Sequence, residues 1–568
     1  MRGTFSGAQT HVVQGKPAGD SQRAAKNLEQ ADAAFKAGYA AMQAGNLEGA
    51  RKDFAEAARL APKLPEARVA LGVILMQLDK PEEAISQFQE ALTLKPGDAG
   101  TKTNLVLAHE AQARKLAGLG KPAEAEKELR AAISVQTDVD HGSGTGAGAR
   151  AAELQDELGS VLAQEKRWTE AEGAFREALR LNPDGAAGPH MHLGVVLLEE
   201  KRTTPALVEL EAAVGAAPGS AMAQFELGRG LGAAGRDEEA IERFEQAEKL
   251  ETKGGGVQGL ALERGMAEQR LGRQQESIPY FQKAIEQEPH NAMALTNLGL
   301  ALTQTGKASE AMPFFQRALT EAPKDSVVLE DMGVAELQQS HFDEAIGRFE
   351  AALALDKDNP QLHYDLGLAY KLKDRMEDAI RELKEAARLD GTLPDPPYTL
   401  GILYMQMGKL EDAVTQLRSA LAVRPENGDG WSILGSTLKQ LGKQAEAEVA
   451  LRKAIELLPN QPGPHITLAG VLAEEGKHDD ATAERKVAAG LSRTAVSRQR
   501  AMFSTNAGNQ LLLRGDVEGA VGRYLEAIAA DPAYGEAHAQ LAMAYERQGR
   551  AEDAKAERGK AQGLAKAN

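Results

Sequence analysis

Residues 398–425 read YTLGILYMQMGKLEDAVTQLRSALAVRP, and the apolar spacing in this stretch predicts two short amphipathic helices. The same pattern returns 34 residues later, although most of the residues between the matching positions differ. A few positions kept at a fixed period indicate a repeated structural unit. The matching residues are Leu400, Gly401, Gly408, Lys409, Ala413, Leu417, Ala420 and Pro425, which recur as Leu434, Gly435, Gly442, Lys443, Ala447, Leu451, Ala454 and Pro459.

The repeat extends outward from this stretch over nearly the whole chain. Each unit carries a small residue, usually glycine, within its first predicted helix, and a second small residue follows about twelve positions later. One further unit, marked by Ala125 and Ala132, has a longer first helix, which makes about fifteen units in all. The first small residues are Gly38, Gly72, Gly159, Gly194, Gly228, Gly265, Gly299, Gly333, Gly367, Gly401, Gly435, Ala469, Gly508 and Ala542.

The fixed residues have physical roles that are typical of packed helices. Glycine inside a helix costs about 1 kcal/mol relative to alanine, so a recurring Gly401 indicates that two backbones approach closely, with Ala413 on the opposite helix. Gly408 lies between the two helical patterns and predicts a left-handed cap. Pro425 ends the second helix because proline cannot continue it. Leucines such as Leu417 are predicted to fill the space between the helices.

The residues WSILGSTL at 431–438, followed by Ala447, Leu451 and Pro459, match an aromatic-x-x-Leu-Gly opening. On these residues the chain resembles the tetratricopeptide repeat (TPR) family. The resemblance implies an all-α fold, namely a right-handed superhelical solenoid of about fifteen helical hairpins whose first helices line a concave groove. The periodicity by itself predicts only a stacked array of hairpins.

Irregular stretches divide the predicted array. The glycine-rich sequence QTDVDHGSGTGAGAR and the basic sequence GLSRTAVSRQR interrupt the repeats, and KGGGVQG at 253–259 lengthens another junction. We therefore expect a disordered lead-in at 1–30, N-terminal TPR units at 31–135, a flexible insertion at 136–151, a central array at 152–489, a basic linker at 490–500, and C-terminal units with a capping helix at 501–568.

The charge balance restricts the classes of partner. The chain has 83 acidic and 66 basic residues, so its net charge is −17, which matches nucleic acid and anionic membranes poorly. It contains no cysteine, and its apolar runs are too short to span a bilayer. We expect a soluble protein in a compartment that the residues leave open, with the cytoplasm slightly favoured, and the periplasm if a signal peptide precedes the stated start.

No motif in the chain predicts catalysis. The sequence GLGAAG at 230–235 fits a nucleotide-binding pattern, but it lies inside a repeat helix with no strand before it. Carboxylate pairs such as Glu238–Glu239 stand at the starts of second helices, where they complement the helix dipole. We therefore expect no enzyme activity, no cofactor, no metal site and no small-molecule substrate.

Residues on the face of each first helix that the repeat core does not need predict a binding groove. They stand three positions before, one position after and four positions after the small residue of each first helix, which is called the marker glycine. These residues are mainly apolar. The predicted groove residues are Met191, Val195, Phe225, Leu262, Met266, Leu300, Val334, Tyr364, Leu368, Tyr398, Ile402 and Met405. Acidic residues two before the glycine edge this stripe, namely Glu226, Glu263, Asp331 and Asp365.

An apolar stripe with aromatic and methionine residues suits a protein or peptide ligand. We expect a non-catalytic scaffold that binds amphipathic or basic peptide or helical segments in the groove. Two alternatives remain open: a regulatory or substrate-targeting subunit of a separate enzyme such as a glycosyltransferase, and an envelope assembly factor for secretion or polysaccharide export.

The repeat predicts that a substitution acts locally. Ala413→Phe overpacks one helix pair and should cost about 1–3 kcal/mol of stability. Because repeat units contact only their neighbours, amide hydrogen exchange should accelerate in the repeats around residue 413 and stay unchanged near residue 50. Equal acceleration along the chain would show that one global core exists instead.

Overall fold

A computed structural model describes residues 19–143, 148–185, 187–251 and 256–567. All regular structure in these ranges is helical, with 29 α-helices, one short 3₁₀ turn and no strand. Consecutive helices pack against each other in antiparallel pairs, and contacts between helices two apart are few. The all-α helical solenoid that the family resemblance implies is confirmed.

The chain forms two compact units, Met1–Ala301 and Leu302–Asn568, which are called unit 1 and unit 2. Unit 1 contains α1 (Gly19–Gln43), α2 (Leu47–Leu60), α3 (Pro65–Gln77), α4 (Pro81–Leu94), α5 (Ala99–Gly118), α6 (Pro122–Ser143), α7 (Gly148–Gln164), α8 (Trp168–Leu181), the 3₁₀ turn (Pro183–Gly185), α9 (Ala187–Glu199), α10 (Thr203–Ala216), α11 (Ala221–Ala233), α12 (Asp237–Leu250), α13 (Leu260–Arg270) and α14 (Gln274–Gln287).

The boundary between the units falls within α15 (Ala292–Gln304). Unit 2 contains α16 (Ala308–Glu321), α17 (Ser326–Gln338), α18 (Phe342–Leu355), α19 (Pro360–Leu372), α20 (Met376–Leu389), α21 (Asp395–Gln406), α22 (Leu410–Val423), α23 (Gly428–Gln440), α24 (Gln444–Leu457), α25 (Pro462–Glu474), α26 (His478–Leu513), α27 (Val517–Ala530), α28 (Gly535–Arg547) and α29 (Ala551–Ala567).

In most hairpins a marker glycine makes room for a large side chain sixteen positions later. A β-carbon placed on Gly72 would lie 2.5 Å from Phe88, and one on Gly401 would lie 2.7 Å from Leu417. Real β-carbons do not approach so closely, so only glycine fits without a shift. The carbonyl oxygen of Ala413 is a further close neighbour of Gly401, at 3.4 Å from the added carbon. The glycine thus accommodates mainly the buried side chain, and less the facing alanine that the sequence suggested.

The turn between the helices of a hairpin has left-handed backbone conformation. Gly408 has a φ of 73°, which confirms the predicted cap. The equivalent turn residue is not glycine in several hairpins, and it keeps a positive φ there. These residues are Asp79, Lys166, Lys201, Ser340 and Asp374. Because residues with a β-carbon are strained in this region, these turns keep their shape at a conformational cost.

A histidine–glutamate pair links the two helices in several hairpins. The histidine Nδ1 atom lies within 2.8 Å of a carboxylate oxygen nineteen residues later in every case. This recurrence was not predicted from the sequence, although the constant separation makes it visible there. The pairs are His109–Glu128, His190–Glu209, His363–Glu382, His465–Glu484 and His538–Glu557.

Several predicted boundaries are wrong because helices continue through them. Helix α1 covers residues 19–30 of the predicted disordered lead-in, a stretch rich in helix-forming Ala, Gln, Glu and Lys, while residues 1–18 lie outside the described residues. Helices α6 and α7 extend into the predicted insertion at 136–151, of which 144–147 lie outside the described residues.

The predicted basic linker at 490–500 is the middle of the 36-residue helix α26. This segment has no proline and no residue with positive φ, so nothing ends the helix after the first hairpin. Helix α26 therefore serves as the second helix of one hairpin, with α25, and as the first helix of the next, with α27.

The strained turns generate a stability prediction. Lys201 is exposed and has a φ of 58°. The substitution Lys201→Gly should raise the stability of its hairpin by up to about 1 kcal/mol. This figure is the backbone strain that glycine relieves, reduced by the greater conformational entropy that glycine gives the unfolded chain. Amide hydrogen exchange in α9 and α10 measures it. As the matched control, Gly235→Ala adds a β-carbon that meets nothing within 4 Å and should destabilise through backbone conformation alone. A loss of stability in Lys201→Gly, or a gain in Gly235→Ala, would contradict the strain argument.

Candidate functional site

The predicted groove residues lie on the first helices of their hairpins. Helices α9, α11, α13 and α15 carry those of unit 1, and α17, α19 and α21 carry those of unit 2. All of them except Phe225 are half-buried, with part of each side chain accessible to solvent. The two sets belong to different compact units, and each is described by itself.

Phe225 belongs to the core and is not available as a groove contact. Its side chain is only 6% exposed, and its ring lies 6.0 Å from that of Phe244. The lengthened junction before α13 explains this burial, because Val257 lies in the same apolar cluster and Gly259 stands beside the ring. The effect of an inserted loop on a distant side chain could not be derived from the repeat pattern.

Tyr364 and Tyr398 pack against the hydrophobic core and also form part of the accessible face. Tyr364 packs against the core cluster around Phe349, and Tyr398 packs against the cluster around Leu434. Burial raises the pKa of both hydroxyl groups, and a hydrogen bond with Thr399 partly opposes the effect at Tyr364. The expectation that both rings lie outside the core is therefore wrong, since each packs against a core cluster and is only partly accessible to solvent.

In unit 1 the acidic edge has its own cation. Arg229 Nη1 donates to Glu226 at 2.8 Å, and its other nitrogens lie 3.6 Å from Glu263 and 3.9 Å from Glu199. Burial raises the pKa of Glu226 and of Glu263, while the guanidinium opposes that rise. The predicted acidic residues of unit 1 are therefore engaged within the chain. Arg229 stands one position after Gly228, where most repeats have an apolar residue, so the sequence did contain a signal for it.

In unit 2 the corresponding carboxylates have no cation. We call Glu330, Asp331 and Asp365 the acidic face; Glu330 was not selected from the sequence, although it stands in the groove register. Within the described part of the chain, no lysine or arginine pairs with these three groups. Gln361 Nε2 donates to Asp365 at 3.2 Å, and the Oδ2 atom of Asp331 is buried without a hydrogen-bond partner.

The missing cation changes the protonation of the acidic face. Burial raises the pKa of Asp331 to about 7, and the charges of Glu330 and Asp325 add to the rise. Burial also raises the pKa of Asp365 to about 7, with a smaller contribution from Glu330. A positively charged group placed here would relieve the repulsion and restore the ionised forms.

The position of Arg229 has an aliphatic residue in this part of unit 2. Val334 and Leu368 each stand one position after their glycine, as Arg229 does in unit 1. Val334 packs against the same apolar cluster as Tyr364. The acidic face is thus bordered by partly accessible apolar side chains, an arrangement that fits a ligand carrying both apolar and basic groups.

The structure also shows an apolar cavity that was not predicted from the sequence. It has a volume of about 480 Å³ and lies on the first helices α1, α3 and α5 of unit 1. Tyr39, Met42, Val69 and Val73 line it and occupy the same register positions as the predicted groove residues. The predicted apolar stripe covers only residues 190 to 410, so these N-terminal repeats were left out of the groove although their register matches it.

The paired helices, the glycine contacts and the left-handed turns define a helical-repeat protein. The tetratricopeptide repeat family model matches residues 35–99, 110–186, 262–326, 330–394, 398–462 and 505–559. These segments make up more than half of the chain, and the chain belongs to the tetratricopeptide repeat family. No curated protein sequence matches it significantly.

Solved structures with similar parts include other repeat proteins. A MamA protein is 24% identical, covering 30% of this chain and 93% of its own, with a TM-score of 0.29. The human IFIT1 dimer with PPP-AAAA is 15% identical, covering 69% of this chain and 91% of its own, with a TM-score of 0.35. A tetratricopeptide repeat protein from Parabacteroides merdae is 17% identical. The match covers 46% of this chain and 98% of that protein, with a TM-score of 0.35. At these scores none carries an argument about this chain.

Membership of the family establishes a protein-interaction scaffold in general terms. The repeats of this family bind protein partners, and their fold is typically non-catalytic. Among the described helices, none combines the length and the apolar character needed to cross a membrane. The described side chains also include no group of three metal-ligating residues that could hold an ion.

The raised pKa of Asp331 generates a pH prediction. An aspartate in the unfolded chain has a pKa near 4, whereas the pKa of Asp331 in the folded state is about 7. Between pH 4 and pH 7 the folded state therefore binds more protons than the unfolded state. The stability of this region should therefore be highest below about pH 4 and fall as the pH rises through about 7. At pH 8, Asp331→Asn should be more stable than the wild type, by on the order of 1–4 kcal/mol, and the difference should shrink toward pH 5.

Hydrogen exchange of α17 and α18 at pH values between 5 and 8, corrected for the intrinsic exchange rate, measures this difference. Asp358→Asn is the matched control because Asp358 is exposed in the same unit, and this variant should follow the wild type at every pH. An Asp331→Asn difference that stays constant with pH would contradict the assignment of the raised pKa.

Proposed function

We propose that this chain is a non-catalytic scaffold whose unit 2 binds a basic, amphipathic protein segment on the first helices α17, α19 and α21. The observation that carries the proposal is the acidic face, three partly buried carboxylates with no cation of their own. Lysine or arginine side chains of a partner supply the missing charge, and apolar side chains of the same segment contact Tyr364, Leu368 and Ile402.

The contrast with unit 1 supports the choice of unit 2. The carboxylates of Glu226 and Glu263 already have Arg229 between them, so a partner's cation would have to displace an internal ion pair. At the acidic face a partner's cation displaces no such ion pair. A pair formed in a partly buried site is also less screened by salt than one at an exposed site.

The two kinds of contact act differently on binding. Apolar groups of the partner that become buried against Tyr364, Tyr398 and Met405 stabilise the complex. The gain in binding free energy is about 25 cal/mol for each Å² of apolar surface buried. The carboxylates select basic partners and accelerate their association at low salt. A helical or extended segment with basic and apolar residues on one side satisfies both requirements. The site thus favours a class of partner and excludes acidic segments.

Two synthetic helical peptides test the proposal, one with lysine and leucine on one face and one with glutamate in place of lysine. Fluorescence anisotropy with the full chain should show binding of the basic peptide only, weakening as salt is added. The double variant Glu330→Gln/Asp365→Asn should bind it about 10- to 100-fold more weakly, because two charge pairs are lost.

The matched control for the double variant is Asp358→Asn/Glu377→Gln, which removes two exposed carboxylates of unit 2 outside the acidic face. It changes the net charge equally and should leave the affinity unchanged. Equal binding of the acidic peptide, or equal losses in the two double variants, would remove the support for a site on this face.

A further inference from the structure

The middle of α26 carries an exposed amphipathic face with no function in the repeat. Val496 is 57% exposed and Phe503 is 77% exposed. Arg493 stands three residues before Val496, and Arg500 stands three residues before Phe503. The four residues therefore share one side of the helix. We call Arg493, Val496, Arg500 and Phe503 the basic stripe.

The repeat packing does not cover this part of α26. Buried residues occur up to Ala488 and again from Ala501, but not in the segment between them, all of which the structure describes. Arg498, on the opposite side of the helix, pairs with Asp531. In the described structure Arg493 and Arg500 form no ion pair, whereas most other arginines of unit 2 have a carboxylate partner.

The basic stripe has the chemistry that the acidic face requires. It presents two unpaired guanidinium groups and two exposed apolar side chains on one helical side, and the acidic face presents three unpaired carboxylates beside apolar side chains. Seven residues separate Arg493 from Arg500, about 10.5 Å along the helix. The acidic residues stand on α17 and α19, two helices in contact and so about 8–10 Å apart. The spacing of the two arginine positions along α26 is therefore similar to the spacing of the two helices that carry the acidic residues.

We propose that the basic stripe of α26 binds the acidic face of a second copy of this chain. This inference rests on the proposed function, because it names the occupant of the same face. The contact is heterologous, since two different surfaces of unit 2 meet and each copy keeps one of them free. Each added copy leaves a new free stripe and a new free face, so the assembly grows with concentration.

Analytical ultracentrifugation of the full chain tests the self-association. The mass of the wild type should rise above the monomer with increasing concentration and return toward it at high salt. The stripe variant Arg493→Glu/Arg500→Glu and the face variant Glu330→Gln/Asp365→Asn should each raise the dissociation constant at least about tenfold. The substitution Phe503→Ala should weaken association without any change in charge.

Mixing the two variants is the decisive measurement. The stripe variant keeps an intact face and the face variant keeps an intact stripe, so the mixture should form a one-to-one complex that neither variant forms alone. The control Lys324→Glu/Lys357→Glu makes the same charge change at exposed positions of unit 2 and should associate like the wild type. A wild type that stays monomeric, or a mixture that forms no complex, would overturn the inference.

The peptide experiment separates this inference from the proposed function. If the wild type stays monomeric but binds the basic peptide at the acidic face, the proposed function stands and the second copy is excluded. If neither binding occurs, both fail. Binding of the wild type to anionic phosphatidylserine vesicles that is lost in the stripe variant, with no self-association, would assign the stripe to a membrane surface and also overturn the inference.

Discussion

One contact recurs through the array and fixes the geometry of its hairpins: the glycine of the first helix against the large side chain sixteen positions later. This side chain is most often phenylalanine and otherwise leucine or tyrosine. It is buried to within about 1% of its surface, as Phe88, Leu417 and Tyr524 show. Because the glycine has no side chain, the ring or branched carbon settles against the first helix itself. This contact sets the rotation of the first helix and so determines which residues remain accessible.

A fixed rotation makes single residues comparable between repeats. Arg229, Val334 and Leu368 occupy one register position, yet they give the carboxylates beside them different environments. The guanidinium in unit 1 compensates Glu226 and Glu263, whereas the aliphatic residues in unit 2 leave Asp331 and Asp365 with a pKa of about 7. The residue at this one register position therefore decides whether the neighbouring carboxylates are compensated within the chain.

The long helix α26 shows how the loss of one stop signal changes the surface of the array. Where most hairpins end at a turn or a proline, this segment has neither and continues as helix. Its middle, residues 489–500, therefore projects past the packing of both adjacent hairpins and exposes Val496, and Phe503 is exposed just after it. In an array that depends on neighbouring units for burial, an uncovered apolar stripe with two arginines is a surface for association.

The sequence determined the features that depend on local periodicity. The 34-residue spacing, the glycine and alanine markers and the turn at Gly408 were enough to predict an all-α stacked array of hairpins and the face of each first helix, because these properties repeat along the array. The resemblance to the repeat family added the solenoid. Only the tertiary structure decided what surrounds each member of that face. The loop that buries Phe225, the partners of the carboxylates and the continuity of α26 all depend on contacts between segments distant in sequence or on the absence of a stop signal. Burial and charge compensation are properties of such neighbours, and a register position alone does not specify them.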